Sequence, residues 1–414
     1  LALLMGLVWN QGHDMVLATA RWLFFAIMVF WGFGPASSTI VAEIQDGTWD
    51  QQRMSALAPW TLTWGKLLGT TAYGWYGGSL CLAVFILVSG MEGRLFSKTF
   101  VVEVLLWIIV AFLGSAVAML FSFAGHVGKR AGAFGAGIVP AILVSGPVFF
   151  LGTQVPDAQT LDWWSFEIST RQFFMGSACF FMGCGIFALW RMMRIALQLR
   201  ALPWDFPLFL VLLALYLTGF EYAWTAVPFC LALLSLLATY GLLVFHNPDE
   251  RVEITLKRLI HCSHTGHWHR LLETVPMWSV TLVMVLFCTL ATLVFPPETV
   301  SEMDFLSRLG SSISGAMILF VGFIVALRDT CVYLFLALSR HAGKKTHIVL
   351  VLYLVIVHII LPSFTFATPS LTGIIQPLSF RSGLGTALTA AVFQLLAGVA
   401  LLSWRVSQLD RQQG

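Results

Sequence analysis

Charge is what this chain has least of. Of its 414 residues only 10% are Asp, Glu, Lys or Arg, and 58% are hydrophobic, against about 25% and about 45–50% in an ordinary soluble domain. That shortage excludes a water-soluble fold and leaves a polytopic membrane protein. The net charge of +3 says little by itself, and no nucleic-acid partner is expected. A disulfide framework is missing too. Most of the seven cysteines (Cys81, Cys179, Cys184, Cys230, Cys262, Cys288 and Cys331) lie inside apolar runs, where a thiol behaves as a small hydrophobe. The opening "LALLMGLVW" has neither an initiator Met nor a charged leader. It reads as the tail of a spanning helix whose start lies upstream, and not as a signal peptide.

A phosphate-binding loop is also lacking. Such a loop needs Gly-x-x-x-x-Gly-Lys-Ser/Thr so that successive backbone N–H groups surround the phosphates. The nearest strings, "GHVGKRAG" and "HAGKKTH", do not hold the first Gly and the final Ser/Thr in register. The expectation is therefore a protein that is not an enzyme and binds no nucleotide or other cofactor itself.

What the chain has in abundance is apolar runs. A bilayer core of about 30 Å takes about 20 residues of helix, and twelve runs of roughly that kind can be marked. They lie near 1 to 9 (truncated), 22 to 42, 61 to 89, 99 to 124, 131 to 152, 172 to 192, 206 to 220, 225 to 246, 276 to 296, 310 to 327, 347 to 366 and 384 to 404. The expected fold is all-α with about twelve transmembrane helices. Basic residues are retained on the cytoplasmic side. With both termini placed inside, 17 of the 23 Lys and Arg residues fall in inner segments. Arg21, Arg94, Lys98, Arg171, Arg308 and Arg381 fall outside, with Asp157, Asp162, Glu167, Glu298, Glu302 and Asp304.

Spans of the second half follow those of the first at offsets of about 203 to 215 residues, a repeat of topology and not of letters. Two diverged six-span halves are expected, 1–200 and 201–414, each with a longer polar inner loop after its second span, at 43–60 and 247–275. Transporters often place their pathway at such a repeat interface.

The first of those loops reads "EIQDGTWDQQRMSALAPWTLTWGK" from Glu43 to Lys66. Asp46 before "GTW" suits an acidic helix cap. A short helix over about 47–54 follows, and Pro59 suits the first position of the next helix. Trp60 and Trp64 suit a bilayer interface. On physics alone this is a surface elbow. Its wording, however, resembles the signature of type-2 ABC exporter permeases. Glu43, Asp46, Gly47, Thr48, Arg53, Ser55, Leu57, Pro59, Gly65 and Lys66 stand in the order in which that family carries a Glu, a Gly-Thr, an Arg, a Ser-x-Leu and a Gly-Lys between its second and third spans. The likeness is specific over about 25 residues and weak over the second half.

The resemblance implies a coupling helix near 44–60 that seats in a groove of a separate cytosolic ABC ATPase, which would bind the ATP and Mg. Glu43 and Arg53 would form a charge pair, Trp49 an apolar contact for the partner's groove, and Lys66 a snorkelling anchor. It also implies an exporter permease working by alternating access, completed where necessary by a homodimer or a sister permease, in the bacterial inner membrane. The alternative is an ATP-independent secondary transporter or channel. The loop at 247–275 lacks the Gly-Thr and the Gly-Lys, which sets symmetric coupling in question.

That second loop holds His261, Cys262, His264, His267 and His269. Imidazoles with a thiol are zinc ligands, but this spacing matches no standard metal motif. Their alternation with Leu259, Ile260, Trp268, Leu271 and Leu272 equally reads as an amphipathic helix on a lipid surface. The expectation is no metal. Polar groups inside spans are costly and mark pathways. His358 and Gln394 are the pathway candidates. Ser145 with Pro140 and Pro147, and Gly32, Gly34 and Pro35, read as kinks and close packing. No paired carboxylate is expected at mid-membrane. The outer stretch around Asp157, Asp162, Trp163, Trp164 and Glu167 suits a short interfacial helix, as the resemblance also implies.

Overall fold

The computed structural model describes residues 12–55, 57–95, 97–127, 137–154, 159–199, 204–220, 224–245, 274–295, 315–338, 344–361 and 384–413, with a few isolated positions besides. The protein is an all-α polytopic membrane protein. Eight described helices are long and apolar enough to cross a bilayer, and three further apolar helices are shorter. The run at 1–9 lies outside the described residues. The chain forms two compact units, residues 1–162 with 166–201, and residues 163–165 with 202–414.

The first unit begins with α1 (His13–Gln45), a single long apolar helix that opens into a π-helical segment at Met28–Phe33. The short α2 (Thr48–Met54) and the α3 (Pro59–Thr70) and α4 (Ala72–Met91) helices follow, then α5 (Lys98–Val127) and α6 (Ile138–Gln154). A hairpin, β1 (Thr160–Trp163) and β2 (Phe166–Ser169), leads into α7 (Thr170–Ala196). The core centres on α5. Trp107 is fully buried, with Phe85 at 4.7 Å and Phe24 at 5.0 Å between ring centroids.

With no hydrophobic gradient between lipid and protein, spans adhere by close approach at small residues. Helices α1 and α4 do this through Gly32 and Gly74. A Cβ built on Gly74 would lie 2.9 Å from the Gly32 nitrogen and 3.0 Å from its Cα. Pro147 sits inside α6, and Ser145 turns back to the Ala141 carbonyl at 2.5 Å. Gly34 and Pro35 open the α-helical second part of α1 after the π segment.

The stretch expected as an interfacial helix is instead the β1–β2 hairpin. The reason is local. Trp164 and Ser165 take φ values of +50° and +64°, and a two-residue loop with both φ angles positive matches the twist of paired strands. The flanking Trp163, Phe166 and Ile168 are residues that favour strands.

The second unit holds α8 (Asp205–Thr218), α9 (Ala226–Phe245), α10 (Met277–Val294), α11 (Gly315–Ala337), α12 (Lys344–Val355), which continues as a π-helical turn at Ile356–Ile360, and α13 (Leu384–Gln413). The hairpin tip, Trp163–Ser165, clusters with this unit. There the indole N–H groups of Trp163 and Trp164 donate to the Tyr216 and Leu215 carbonyls, both at 3.1 Å, and the Trp164 amide donates to Gly219 at 2.8 Å. The donors reach the last turn of α8, where a helix has no further amides of its own to offer its carbonyls. Helices α9 and α10 are joined by a buried Thr239–Thr281 hydroxyl contact of 2.8 Å. Helix α11 is central, packed by α9, α10, α12 and α13, with Tyr333, Leu243 and Leu350 closing one part of the core.

Candidate functional site

The elbow between α1 and α3 is built on one glycine. Gly47 has φ +71°, a conformation that costs glycine little and other residues more. It ends α1 and starts α2 at once. Asp46 belongs to the end of α1, where its amide donates to the Ala42 carbonyl at 2.9 Å, and it makes no side-chain cap. The acidic cap expected at Asp46 is therefore not formed, because Gly47 already turns the chain. Thr48 donates its hydroxyl to the Glu43 carbonyl at 3.2 Å, Ser55 donates to Gln52 at 2.6 Å, and Pro59 stands in the first turn of α3.

The charge pairs also differ from expectation. Glu43 pairs with Lys66, which is only 6% exposed, and not with Arg53. Arg53 lies one turn from Asp50 on the exposed side of α2, at 3.4 Å. Lys66 does not snorkel. It sits 5.3 Å from the Trp49 ring centroid, close enough for a cation–π attraction. Trp49 itself is buried against Phe123 of α5, ring centroids 6.2 Å apart, so it faces inward and not toward a partner. Apolar exposure on the elbow comes from Met54, Leu57 and Trp60. Gly65 is exposed with open space around its Cα.

A second constellation lies inside α11. The sequence ends a span near 327 and assigns Arg328 to an inner loop, but α11 runs on to Ala337 and buries Arg328 and Asp329 in its middle. About 20 Å of helix precedes Arg328 at 1.5 Å per residue. Asp329 is 0% exposed. Its Oδ1 accepts from Arg328 Nε at 2.8 Å, Arg328 Nη2 at 2.7 Å and the Tyr353 hydroxyl at 2.8 Å. Its Oδ2 accepts from the Tyr240 hydroxyl at 2.8 Å and lies 2.9 Å from His358 Nε2. The Arg328 Nη1 group donates to Gln394 Oε1, and Nη2 lies 3.3 Å from His358 Nε2. Gln394 donates in turn to the Ile375 carbonyl at 3.4 Å.

Four helical elements thus converge on one buried ion pair. A charge within a span is expensive unless paired and hydrogen-bonded, and here both requirements are met. Asp329 is a single carboxylate, held in an ion pair with Arg328 that the sequence did not reveal. Of the sequence candidates, His358 and Gln394 are brought together here. Ser145, Gly32 and Pro35 belong to the first unit and serve packing. Arg328, Asp329, Tyr240 and Tyr353 were missed, although the apolar residues on both sides of "RD" in "VALRDTCVYLF" signal a helix that does not stop there.

The loop residues His261, His264, His267 and His269 lie outside the described residues, and no group of three metal-binding side chains occurs among the residues described. No family model matches this chain, and no curated protein or solved structure is similar to it at a significant level.

Proposed function

We propose that the chain is the permease subunit of a type-2 ABC exporter, moving a substrate across the bacterial inner membrane by alternating access powered by a separate cytosolic ATPase. The observation that supports the reading is the construction of the elbow. Binding of ATP by a partner shifts a permease only as far as its differential affinity for two states allows, so a dock must transmit movement without bending. Helix α2 meets that need. Glu43 and Lys66 tie the end of α1 to α3, and Trp49 ties α2 to α5 through Phe123. Arg53, Met54 and Leu57 stay outward for a partner. On this reading ATP and Mg belong to the partner, both termini are cytoplasmic, and the two six-span halves, alone or as a homodimer, enclose the path.

The test is purification from native membranes. The expected result is a stoichiometric partner with a nucleotide-binding motif whose ATP hydrolysis rises when the complex is reconstituted in vesicles. Transport that persists without such a partner and follows an ion gradient would overturn the reading. It would favour an ATP-independent secondary transporter, which the buried Arg328–Asp329–His358 cluster supports independently.

A further inference from the structure

We infer that His358 is a proton-binding site inside the second unit, and that a proton bound there commits the imidazole to Asp329 and removes its option of accepting from Arg328. The inference concerns the cluster itself and stands whether or not an ATPase docks at the elbow. Its basis is a conflict at one nitrogen. Nε2 lies 2.9 Å from Asp329 Oδ2, an acceptor, and 3.3 Å from Arg328 Nη2, a donor. A neutral imidazole nitrogen is either a donor or an acceptor and cannot be both. The tautomer protonated on Nδ1 accepts from Arg328 and turns a lone pair toward Asp329. The other tautomer donates to Asp329 and faces a guanidinium N–H. The protonated ring has a single choice: it donates to Asp329, and its contact with Arg328 becomes repulsive.

Every other group in the cluster is committed. Asp329 receives Tyr240 from α9, Tyr353 from α12 and two guanidinium nitrogens of Arg328. A carboxylate offers about four lone-pair sites; Arg328 and Tyr353 crowd Oδ1 while Tyr240 takes only one side of Oδ2, which leaves Oδ2 a site for the imidazole. Arg328 donates through Nη1 to Gln394 of α13, and α10 brings no charged side chain to the group. His358 is 27% exposed, more open than the ion pair it touches, where Asp329 is 0% and Arg328 7%. It is also the side chain type that gains or loses charge most readily near neutrality.

Position supports the assignment. His358 is the middle residue of the π-helical turn Ile356–Ile360, and such turns within α-helices are rare and gather at functional sites. An extra residue per turn frees a carbonyl and moves the side chains that follow it. A change of partner by the imidazole therefore acts where α12 is least regular.

The proton itself is the probe. The full chain, labelled with ¹⁵N in its histidine rings and held in lipid nanodiscs, is observed by NMR between pH 8 and pH 5. Expected is one ring, absent from the spectrum of His358→Gln, that loses its non-protonated nitrogen signal as pH falls. Tyr240→Phe removes a donor competing for Asp329 Oδ2, so the midpoint of that same ring should move to higher pH. The Tyr240→Phe shift also identifies the resonance should His358→Gln not fold. A ring that stays neutral to pH 5, or one whose midpoint is indifferent to Tyr240→Phe, overturns the inference.

Discussion

Removing Arg328 alone should damage the protein more than removing Arg328 and the charge of Asp329 together. In Arg328→Met the chain keeps its apolar volume but strands the Asp329 carboxylate, 0% exposed, with only tyrosine hydroxyls and His358 around it. Loss of one partner of a buried ion pair costs about 3–5 kcal/mol. A hydrogen bond between spans is worth far less, about 0.6 kcal/mol on average, so Tyr240→Phe and Tyr353→Phe should each be nearly silent in stability. The double variant Arg328→Met with Asp329→Asn leaves no charge on either residue, and the Asn carbonyl still accepts from one tyrosine while its NH2 faces the other hydroxyl, which can accept. It should recover at least half of the single-variant loss. The assay is unfolding in mixed micelles of rising SDS fraction, followed by tryptophan fluorescence. Costs that simply add in the double variant, or an Arg328→Met variant within about 1 kcal/mol of wild type, would show that the ion pair is not the element holding these helices.

Two further outcomes check the packing and the orientation. Gly74→Val should abolish assembly of the first unit, since even a Cβ at that position lies 2.9 Å from the Gly32 backbone, whereas Gly65→Ala, with open space around it, should leave folding unchanged; yield and gel filtration read both. Cysteine placed at the exposed Ser55 should react with an impermeant maleimide only from the cytoplasmic side, and at the exposed Asp162 only from outside, and labelling of both from one side would break the orientation drawn from the Lys and Arg distribution.

Much of the helical layout was legible because composition and length alone decide it. The apolar runs inside the described residues fall on helical chain, although the run at 61–89 is divided at Thr71 between α3 and α4, since a backbone in hydrocarbon has to satisfy its own hydrogen bonds. Legibility failed where a polar residue was taken as a boundary. Arg328 and Asp329 look like the end of a span until Tyr240, Tyr353 and Gln394, distant in sequence, supply partners that make burial tolerable. His358 and Gln394 were visible because each is isolated among apolar neighbours. The hairpin was missed because aromatic residues suit both an interfacial helix and a strand, and the positive φ angles at Trp164 and Ser165 are carried by no glycine. In the elbow, the order of residues could be read but not their directions, so Trp49 and Lys66 were expected to face outward when they pack on each other.

That reversal separates two residues that a dock would otherwise use alike. Trp49 is buried and Arg53 is about one third exposed, so they should fail in different ways. Trp49→Ala removes the ring that Phe123 and Lys66 pack on. Truncating a buried Trp costs about 3–5 kcal/mol, enough to melt a helix of seven residues, so stability should fall and, on the proposed reading, ATPase binding with it. Trp49→Phe should restore most of both. Arg53→Glu breaks only an exposed pair with Asp50, a contact worth between nothing and about 1 kcal/mol, so stability should stay near wild type. If Arg53 meets the partner, its reversal should still weaken the complex by about ten- to a hundredfold, the effect of a moderate hot spot. Melting of the purified protein measures the first quantity, and, on the proposed reading, retention of a cytosolic ABC ATPase on the immobilised protein measures the second. An Arg53→Glu variant that holds the ATPase normally, beside a Trp49→Ala variant that is stable, would show that α2 is neither rigid nor a dock, and would leave the polar loop at 247–275 as the place to look.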